Sequence, residues 1–534
     1  MDLSTLSPEQ KYAYDKFCKG ENLFISGPGG TGKTKLIEYL VHQSKSTAQA
    51  HQVCAMTGCA AILLNCNART LHSWSGIRLC KGQKDQIISG VLKNRTALSA
   101  WRKTNILVVD EVSMMSLKIF DIIEEIARIA RRSSLPFGGL QVVFTGDFFQ
   151  LPPVSTTGET DTELFCFEST NWLRVFPLAN HVILKTIFRQ TDPLYKEILL
   201  QVRTGDLTEE NKKILQGYVK REYDPEQHNG CIPTKLFPTR AKTDYLNATM
   251  FAKLKEKEFV FECDRKTQCK TFLETNKAIS PEYLSIGARM TAQEIDYEIQ
   301  MLLNNTSMQQ TLSLKKGCVV MCTVNLDMEQ GICNGSQGII INILENGPVP
   351  LPIVKFANGV TKPIHPHYRQ SEECPTIAVG QIPLCLAWAL TIHKIQGATL
   401  ALADIDVGGN IFEYGQTYVA LSRVQSLEGL YLTAFHAHKI KANDRVRQFY
   451  SQIPDITNYE SIIPENSTEL KTEDYGVPEG GQNDNEQLKS ETVVNKFEEF
   501  AFGANRITEC SGGERLNSDT LVKEFDPTIK RIRL

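Results

Sequence analysis

The stretch that most constrains the fold of this chain runs from Gly27 to Thr34 and reads GPGGTGKT. An apolar run at residues 22–26 precedes it, and an amphipathic helical pattern follows it. In such a strand–turn–helix unit, glycines let backbone N–H groups converge on phosphate oxygens, and the helix N-terminus adds a favourable dipole. The spacing predicts a phosphate-binding loop in which Lys33 reaches the β- and γ-phosphates and the Thr34 hydroxyl ligates Mg²⁺. The remaining loop residues are Gly27, Pro28, Gly29, Gly30, Thr31 and Gly32.

Two more apolar runs, at residues 106–109 and 140–145, lack the alternation of a half-exposed strand. Such runs suit the buried strands of a parallel sheet, and the segment 116–132 between them has an apolar face with helical spacing. A second strand-and-helix set is predicted at residues 181–190, 234–241, 401–407 and 428–435. Between its halves, short apolar runs separated by Gly and Asn predict a β-rich insertion. We therefore expect an α/β protein with a smaller β insertion.

The composition is that of an ordinary globular protein with several domains, since 534 residues include 42% hydrophobic and 22% charged residues. No apolar run reaches the roughly 18 residues of a membrane span, and the N-terminus has no secretory leader pattern. The 15 cysteines are scattered, which favours buried free thiols in a reducing compartment. We therefore expect an intracellular protein that is neither secreted nor inserted in a membrane.

Charge is distributed unevenly along the chain. Residues 451–534 hold 9 Lys and Arg against 17 Asp and Glu, a net charge of −8, so the total of −3 leaves +5 on residues 1–450. A mildly basic body permits binding to a polyanion such as nucleic acid. The polar, acidic segment 451–534 is predicted to be a disordered tail.

An acid pair, Asp110-Glu111, closes the second apolar run. A carboxylate at a strand end beside a phosphate-binding loop suits a Mg²⁺ partner, and a second carboxylate next to it can orient or deprotonate a water molecule. An acid pair that starts a helix is the ordinary alternative. Because the pair follows a phosphate-binding loop, we favour the catalytic interpretation, with Asp110 at the metal and Glu111 at the water.

Asp147 and Gln150 follow the third apolar run, just past the end of the next expected strand. They are expected at the same sheet edge as Lys33. There, Gln150 would sense the γ-phosphate, and Asp147 would fix this loop or the attacking water. Pro152-Pro153 then ends the core of the first α/β unit.

Three further polar residues have two interpretations each. Gln10 lies three residues after Ser7 and follows Pro8, so it either completes an N-terminal capping box or contacts an adenine ring. Arg189 and Arg423 follow apolar segments of the second α/β set, and each is either a surface ion-pair residue or a contact to a γ-phosphate held by the other domain. Spacing alone leaves these alternatives open.

An ordered set of motifs across roughly residues 6–435 resembles the superfamily-one helicases of the petite-integration-frequency (Pif) family. The set reads GPGGTGKT, AMTGCAA with TLHSW, VVDEVSMM, PFGG followed by GDFFQLPPV, IFRQ, NGSQG, AWALTIHKIQGATL and GQTYVALSRV. The long helix with PFGGLQVVFTGDFFQLPP after it resembles the stretch that separates this family from its relatives RecD and Dda. Taken together, the motifs match this family very specifically. The phosphate-binding loop is the one motif that would be sufficient by itself.

The resemblance implies two RecA-like parallel-sheet domains in tandem, with a small wedge subdomain and an SH3-like β insertion. The implied boundaries are domain 1A at residues 1–151, wedge subdomain 1B at 152–180, domain 2A at 181–255 and 381–450, insertion 2B at 256–380, and the tail at 451–534.

The resemblance also implies the site residues. Those expected to line the ATP cleft beyond the loop glycines are Gln10, Lys33, Thr34, Asp110, Glu111, Gln150, Arg189, Gln396, Gly397 and Arg423. Those expected to contact DNA are Thr57, Gly58, His72 and Trp74 in the first domain and Thr391, His393 and Lys394 in the second. Hydroxyls, backbone amides and lysines hold phosphates without reading sequence, and aromatic or imidazole rings can stack on bases. For Trp74 a buried core position is the alternative.

The implied activity is ATP- and Mg²⁺-dependent 5′-to-3′ translocation along single-stranded DNA, with unwinding of forked duplex, RNA–DNA hybrid or G-quadruplex DNA. Such a protein would act as a monomeric motor in replication, recombination or repair, in the nucleus, a mitochondrion or a viral replication compartment. A related translocase that acts on RNA or displaces proteins is the first alternative. A non-motor ATPase switch is a more remote one, because a switch needs neither the 391–397 motif nor Arg423.

Overall fold

The computed structural model describes residues 2–454, with the exception of 65, 67, 225–231, 274–275, 306–307, 328, 346–348 and 372–373. The acidic tail predicted at 451–534 lies outside the described residues from 455 onward. Within the described residues, every helix is too short or too polar to cross a membrane.

The first part of the chain folds around a parallel sheet of six strands. The strands are β1 (Leu23–Ser26), β2 (His51–Ala55), β3 (Arg69–Thr70), β4 (Ile106–Asp110), β5 (Gln141–Gly146) and β6 (His181–Ile183). The helices are α1 (Pro8–Cys18), α2 (Lys33–Ser46), α3 (Gly58–Leu63), α4 (Leu71–Ser75), α5 (Lys84–Lys93), α6 (Arg95–Lys103), α7 (Leu117–Arg131) and α8 (Trp172–Val175). The order is β3-β2-β4-β5-β1-β6 and all neighbours are parallel, which confirms the predicted RecA-like domain.

The elements that follow, up to the β-rich insertion and through it, come in this order. They are α9 (Pro193–Thr204), α10 (Glu209–Gly217), β7 (Thr234–Phe237), α11 (Arg240–Lys253), β8 (Phe259–Glu262), β9 (Asp264–Lys266), α12 (Pro281–Arg289), α13 (Ala292–Asn305), β10 (Thr311–Leu314), β11 (Val319–Cys322), β12 (Gln337–Leu344), β13 (Leu351–Phe356), β14 (Thr361–Pro363), β15 (His367–Gln370), β16 (Ala378–Gln381) and β17 (Leu384–Leu386). The described chain ends with β18 (Ala389–Thr391), β19 (Ala403–Val407), α14 (Gln416–Leu421), β20 (Leu430–Phe435) and α15 (Asp444–Ser451).

The second RecA-like sheet has the strand order β18-β7-β19-β20, and its neighbours are again all parallel. Between β7 and β18 the chain forms antiparallel sheets, the largest with the order β14-β13-β12-β11-β17. A β-rich insertion in the second domain is therefore present. Two features were not predicted: the helices α12 and α13, and β17, which extends the insertion past residue 380. The SH3-like character of the insertion stays a prediction.

The domain boundary predicted at residue 181 is wrong. β6 pairs in parallel with β1, with Phe24 opposite His181 and Ser26 opposite Ile183, so it is the edge strand of the first sheet. A short apolar run identifies a strand in a sequence, but it does not identify the sheet that the strand joins. The first domain therefore extends through β6, and Arg189 lies on the segment that leaves it.

The wedge predicted at residues 152–180 is only partly a separate unit. Phe165, Cys166, Trp172 and Phe176 are each at most 1% exposed and pack into the hydrophobic core of the first domain. Aromatic contacts fix this packing, such as Trp172 against Phe176 at 4.7 Å between ring centroids. The part of the segment that remains at the surface is the irregular stretch 152–164.

The predicted boundaries placed residues 381–450 in the second domain, but α15, the last described helix, packs against the first domain. Phe449 of α15 stacks on Phe167 at 4.3 Å and meets Phe24 edge-on at 5.8 Å. Arg445 forms an ion pair with Glu168 at 2.9 Å. The aromatic face of α15 thus anchors the end of the second domain to the first.

Candidate ATP and nucleic-acid site

The phosphate-binding loop connects β1 to α2. Gly30 and Gly32 have φ angles of +87° and +75°, in the left-handed region that glycine adopts most readily. A Cβ atom built on Gly30 would lie 2.6 Å from Cβ of Arg189, and one on Gly32 would lie 2.7 Å from Nε2 of Gln10. The absence of side chains at the two glycines is therefore what lets Arg189 and Gln10 approach the loop.

Lys33 is the first residue of α2. Its Nζ donates to the carbonyl oxygens of Gly27 at 2.7 Å and Pro28 at 3.0 Å. Burial lowers the pKa of Lys33, while the carboxylates at the ends of β4 and β5 oppose that shift. A desolvated ammonium group beside a helix N-terminus binds phosphate strongly. Thr34 follows it in the first turn of α2 and is half-buried.

The two acids at the end of β4 have different environments. Oδ1 of Asp110 accepts a short hydrogen bond from the Thr145 hydroxyl, and burial raises the pKa of Asp110. Glu111 has a φ angle of +57°, uncommon for a residue other than glycine and often found at functional sites. Burial, reinforced by Asp110, raises the pKa of Glu111 to about 7. A carboxylate with a pKa near neutrality is suited to accept a proton from water.

The second domain supplies a direct partner to Glu111. Nε2 of Gln396 donates to Oε2 of Glu111 at 3.0 Å, and both side chains are buried. Next to it, Gly397 has a φ angle of +83°, and a Cβ atom there would lie 2.5 Å from Cδ1 of Leu63 on α3. The 391–397 motif therefore closes directly on the first domain.

The two predicted arginines both contact Ser422, and among the described residues neither is hydrogen-bonded to a carboxylate. Nη1 of Arg189 donates to the carbonyl of Ser422 at 3.0 Å, and Nε of Arg423, which is 2% exposed, donates to the carbonyl of Val419 at 3.0 Å. In the described part of the chain, no carboxylate lies within 4 Å of either. Burial lowers the pKa of both, and Arg423 lowers that of Arg189 further. The charge of Glu111 opposes both shifts from a longer distance. A buried and a half-buried guanidinium group with no directly bonded carboxylate form a site for an anion.

Both arginine segments contact the phosphate-binding loop. A Cβ atom on Gly29 would lie 3.5 Å from Nη2 of Arg423, and the Gly29 N–H donates to the Tyr418 hydroxyl at 2.8 Å. On the other side, the Phe188 N–H donates to the carbonyl of Gly30 at 2.8 Å. A surface ion-pair role for Arg423 is therefore wrong, because its side chain is buried against the loop of the other domain.

The loop after β5 presents Asp147 and Gln150 at the same edge of the sheet as the phosphate-binding loop. Gln150 is buried, and its Oε1 has no hydrogen-bond partner among the described residues. Both carboxylate oxygens of Asp147 accept bonds from Arg203, at 2.9 and 2.8 Å. Asp147 therefore fixes the loop instead of holding a water. A buried acceptor without a partner is costly, which suits Gln150 to a donor that arrives with the nucleotide.

Gln10 fulfils the capping prediction and also contacts the loop. Its Oε1 accepts from the Ser7 N–H at 2.9 Å, its own N–H donates to the Ser7 hydroxyl at 3.3 Å, and its Nε2 donates to the carbonyl of Thr31 at 3.1 Å. Beside it, the half-exposed ring of Phe188 would lie 3.6 Å from a Cβ atom on Gly32. Gln10 and Phe188 thus flank the start of α2, where an adenine contact by Gln10 stays a prediction.

One of the predicted DNA-contacting residues, Lys394, lines a cavity of about 610 Å³ between the two domains and the insertion. Its walls include Cys59 of α3 on one side and Lys394 on the other. Thr57 precedes Gly58, the first residue of α3, and accepts a bond from the Ala60 N–H at 3.2 Å, so it caps that helix. On the second domain, the Thr391 hydroxyl accepts from the Lys394 N–H at 3.3 Å. His393 lies between them and is half-buried.

His72 and Trp74 on α4 are not at this cavity. His72 lines a separate small groove with Leu79 and Val154, and burial lowers its pKa. Trp74 is 4% exposed and its ring lies 4.5 Å from that of Trp101. Stacking of Trp74 on a base, as the sequence suggested, is therefore contradicted, and its apolar packing explains why.

Replacing Trp74 with alanine should lower the free energy of unfolding by about 3–5 kcal/mol, since a large ring leaves a cavity in the core. Replacing it with phenylalanine should keep most of the packing and leave DNA affinity unchanged. Chemical denaturation and fluorescence anisotropy with labelled single-stranded DNA measure the two effects. Wild-type stability together with strongly weakened DNA binding in Trp74→Ala would restore the stacking interpretation.

The hydroxyl of Thr34 and the carboxylate of Asp110 are oxygen donors of the kind that Mg²⁺ prefers. In the part of the chain that the structure describes, no group of three His, Cys, Asp or Glu side chains could hold a metal alone. The donor set therefore fits an ion that also takes phosphate oxygens from a bound nucleotide.

Several residues of this site carried no predicted role. They are Tyr418, Phe188, Arg203 and Tyr450. Tyr418 lies in the same motif as Arg423, and Phe188 lies in the same motif as Arg189. Their place in these motifs was the signal that could have assigned them to the site. Arg203 and Tyr450 had no such signal, because their partner Asp147 is far away in the sequence.

The fold and the site together define a P-loop ATPase built from two RecA-like domains, in which the second domain supplies Arg423 to the loop of the first. A family model described as PIF1-like helicase matches residues 5–213, and one described as the 2B domain of DNA helicase Pif1 matches residues 300–343. The ATP-dependent DNA helicase Pif1 of Bdellovibrio bacteriovorus is 32% identical over 84% of this chain and 92% of its own length. The chain belongs to the PIF1-like helicase family.

A relative from Emericella nidulans, named ATP-dependent DNA helicase PIF1, is 32% identical over 82% of this chain. The chain spans 61% of that relative, and 64% of the human one, so it corresponds to about two thirds of several curated relatives.

Solved structures of the family have the same fold. Pif1 helicase from Candida albicans gives a TM-score of 0.64 at 30% identity, covering 85% of this chain and all of that one. Pif1 from a Bacteroides species in complex with ADP-AlF4 gives 0.63 at 27% identity, covering 84% and 97%. A Bacteroides Pif1 bound to single-stranded DNA gives 0.54 at 28% identity, with the same coverage.

Proposed function

We propose that this chain is an ATP-driven motor that moves 5′-to-3′ along single-stranded DNA and separates duplex DNA ahead of it. The observation that carries this proposal is the pair of second-domain residues, Gln396 and Arg423, that reach the acid and the phosphate-binding loop of the first domain. A site shared in this way makes the distance between the domains depend on the nucleotide. The names of the relatives and the complexes with ADP-AlF4 and single-stranded DNA support it.

Each residue has a defined part in hydrolysis. Lys33 and the loop N–H groups bind the phosphates, while the carboxylate of Glu111 accepts a proton from the attacking water. The orphaned Oε1 of Gln150 accepts a hydrogen bond from the same water and orients it. Arg189 and Arg423 stabilise the negative charge that develops on the transferred phosphoryl group. Thr34 and Asp110 would hold Mg²⁺, which neutralises phosphate charge when it is bound.

Movement follows from the same contacts. When the phosphate leaves, Arg189 and Arg423 lose the anion that held the domains together, and the cleft opens. Thr57 and Gly58 on one domain, and Thr391 and Lys394 on the other, would hold the backbone of the strand in turn. Closure then shifts one domain along the strand relative to the other, and the exposed stretch 152–164 meets the duplex.

The finer assignments are part of this proposal and come from the family resemblance. They comprise the 5′-to-3′ direction, activity on forked duplex, RNA–DNA hybrid and G-quadruplex DNA, and action as a monomeric motor. They also include the setting, which is the nucleus, a mitochondrion or a viral replication compartment. The first alternative is a related translocase that acts on RNA or displaces proteins. Movement along DNA and not along RNA distinguishes the proposal from it.

Steady-state ATP hydrolysis with matched tracks tests the proposal. The rate is measured without nucleic acid, with a single-stranded DNA oligomer and with an RNA oligomer of the same sequence and length. We expect DNA to stimulate hydrolysis strongly and RNA to do so weakly. Equal rates with and without DNA would favour a non-motor switch, and stronger stimulation by RNA would favour an RNA translocase.

Replacing Phe188 with alanine should raise the KM for ATP about tenfold and leave kcat unchanged, since stacking of a base on an aromatic ring contributes ~1–3 kcal/mol. The ring flanks the start of α2 beside Gln10, where an adenine would lie. Tyr297→Ala, an exposed aromatic residue of the insertion, is the matched control and should change neither constant. An unchanged KM in Phe188→Ala would exclude this adenine contact.

A further inference from the structure

Arg203, near the C-terminal end of α9, is paired with an acid of the first domain. Its guanidinium donates from Nε and Nη2 to the two carboxylate oxygens of Asp147, which is fully buried. The same guanidinium lies over the ring of Phe149, 4.4 Å from its centroid. A fork-to-fork ion pair fixes direction as well as distance, so Arg203 determines where the loop of residues 147–150 lies.

Tyr450 of α15 completes this network. Its ring stacks on Phe149 at 4.9 Å and an interplanar angle of 11°. Its hydroxyl shares a hydrogen bond of 2.5 Å with the hydroxyl of Ser26 and accepts one from the Phe148 N–H at 3.1 Å. Ser26 is the last residue of β1, directly before the phosphate-binding loop. The loop that carries Gln150 is therefore clamped between the base of the phosphate-binding loop and α9.

The other end of α9 holds the segment of Arg423. The hydroxyl of Tyr195, in the first turn of α9, donates to the carbonyl of Leu421 at 2.8 Å. Leu421 ends α14, two residues before Arg423. The helix between the two contacts is packed into the core of the second domain by Tyr195, Ile198, Leu199 and Val202. Arg203 lies eight positions after Tyr195, which corresponds to ~12 Å along the helix.

We propose that α9 is a rigid strut that couples the position of Arg423 to that of Gln150, with Arg203 and Tyr195 as its two positioning residues. The strut rests on the proposed function and deepens it, because it connects the arginine that contacts the γ-phosphate with the amide of the opposite domain that orients the attacking water. Neither Arg203 nor Tyr195 is expected to touch ATP. When the cleft opens, α9 must move together with Arg423. The contact between Arg203 and Asp147 then either breaks or moves the loop of residues 147–150 with the helix.

A purely structural role is the competing explanation, in which the pair only holds the two domains together. Removing one partner of a buried ion pair destabilises a protein whichever role the pair has, so stability alone does not separate the two explanations. The two explanations differ in what they predict for turnover. A structural role lowers the melting temperature alone, whereas a positioning role lowers kcat and leaves the KM for ATP unchanged.

The test uses the full chain with Arg203→Gln, Arg203→Lys, Asp147→Asn, the double variant Asp147→Asn with Arg203→Gln, and Tyr195→Phe. We expect Arg203→Gln to lower the DNA-stimulated kcat about 100-fold, the loss that a ~1 Å misplacement causes, with no change in the KM for ATP. Arg203→Lys should recover part of it, because an ammonium keeps one contact to Asp147. The double variant should be no slower than the slower single variant, as residues acting through one contact are not additive.

Arg445→Gln is the matched control. Arg445 of α15 pairs with Glu168 of the first domain at 2.9 Å, so its loss removes a different ion pair between distant segments and leaves the contact of Arg203 with Asp147 in place. This variant should keep the wild-type kcat. If it slows turnover as much as Arg203→Gln does, a general effect of loosening the domains explains the result and the strut is overturned.

The wild-type chain separates this inference from the proposed function. Wild-type protein without DNA-stimulated hydrolysis would overturn the function and the strut together. An active wild type with an unchanged kcat in Arg203→Gln would overturn the strut alone. If Arg203→Gln does not fold, Arg203→Lys and Tyr195→Phe decide: a lowered kcat at an unchanged KM supports the strut, and wild-type kcat in both overturns it.

Discussion

Replacing Lys33 with alanine should abolish ATP hydrolysis while leaving the affinity for single-stranded DNA mostly intact. The Lys33 ammonium group is desolvated and held at the mouth of the phosphate-binding loop by the carbonyl oxygens of Gly27 and Pro28. Removing one preorganised group of this kind lowers kcat about 100- to 1000-fold. None of the residues predicted to contact DNA lies on the phosphate-binding loop, so DNA binding should survive. A phosphate-release assay and fluorescence anisotropy measure the two effects.

Lys35→Ala is the matched control for this prediction. Lys35 lies on the same helix, but its side chain is 58% exposed and pairs with Glu38. Its loss should change neither hydrolysis nor DNA binding. Full turnover in a folded Lys33→Ala variant would contradict the assignment of the phosphate-binding loop, and with it the whole account of the site.

Replacing Arg423 with alanine should lower kcat by a factor of about 10³ or more, the lower end of what an arginine contact to a transferred phosphoryl group contributes. Its guanidinium is buried beside Gly29 and has no carboxylate within 4 Å among the described residues. Binding of ATP to the first domain should be affected much less. Single-turnover hydrolysis and equilibrium binding of a fluorescent ATP analogue separate the two steps.

Because Arg423 is buried, alanine could also destabilise the fold. Arg423→Lys keeps the positive charge but loses the planar fork that contacts two acceptors at once. The Arg423→Lys variant should therefore fold but still hydrolyse ATP slowly. Arg240→Ala, an exposed arginine of α11, is the control and should behave as the wild type. A folded Arg423→Lys variant with wild-type kcat would show that Arg423 does not act on the γ-phosphate.

The sequence predicted those parts of the fold that depend on local patterns. The phosphate-binding loop, β4 and β5 each follow from a buried apolar run with a polar or glycine-rich end, and their strand ends meet at one sheet edge as expected. The capping box of α1 follows from the same kind of local spacing. For Gln10 the sequence offered helix capping and adenine contact as alternatives. Its side chain caps α1 and also donates to the phosphate-binding loop, so one role does not exclude a second.

The parts that escaped prediction depend on contacts between distant segments. β6 has the same apolar character as the strands of either sheet, so its pairing with β1 could not be read from its residues. α15 packs its aromatic side chains on the first domain although it follows the second in the chain. Asp147 was placed correctly at the sheet edge, yet its partner Arg203 is 56 residues away and belongs to an ordinary amphipathic helix. Burial of Trp74 depends in the same way on Trp101.

Strand displacement from tailed DNA duplexes measures 5′-to-3′ unwinding directly. The substrates carry the same duplex with a 5′ single-stranded tail, a 3′ tail or both, and release of a labelled strand is followed with ATP and Mg²⁺. We expect displacement from the 5′-tailed and forked duplexes, little from the 3′-tailed one, and none by Lys33→Ala. Displacement from the 3′-tailed duplex alone would contradict the proposed direction, and ATP hydrolysis without displacement from any substrate would contradict a DNA-unwinding motor.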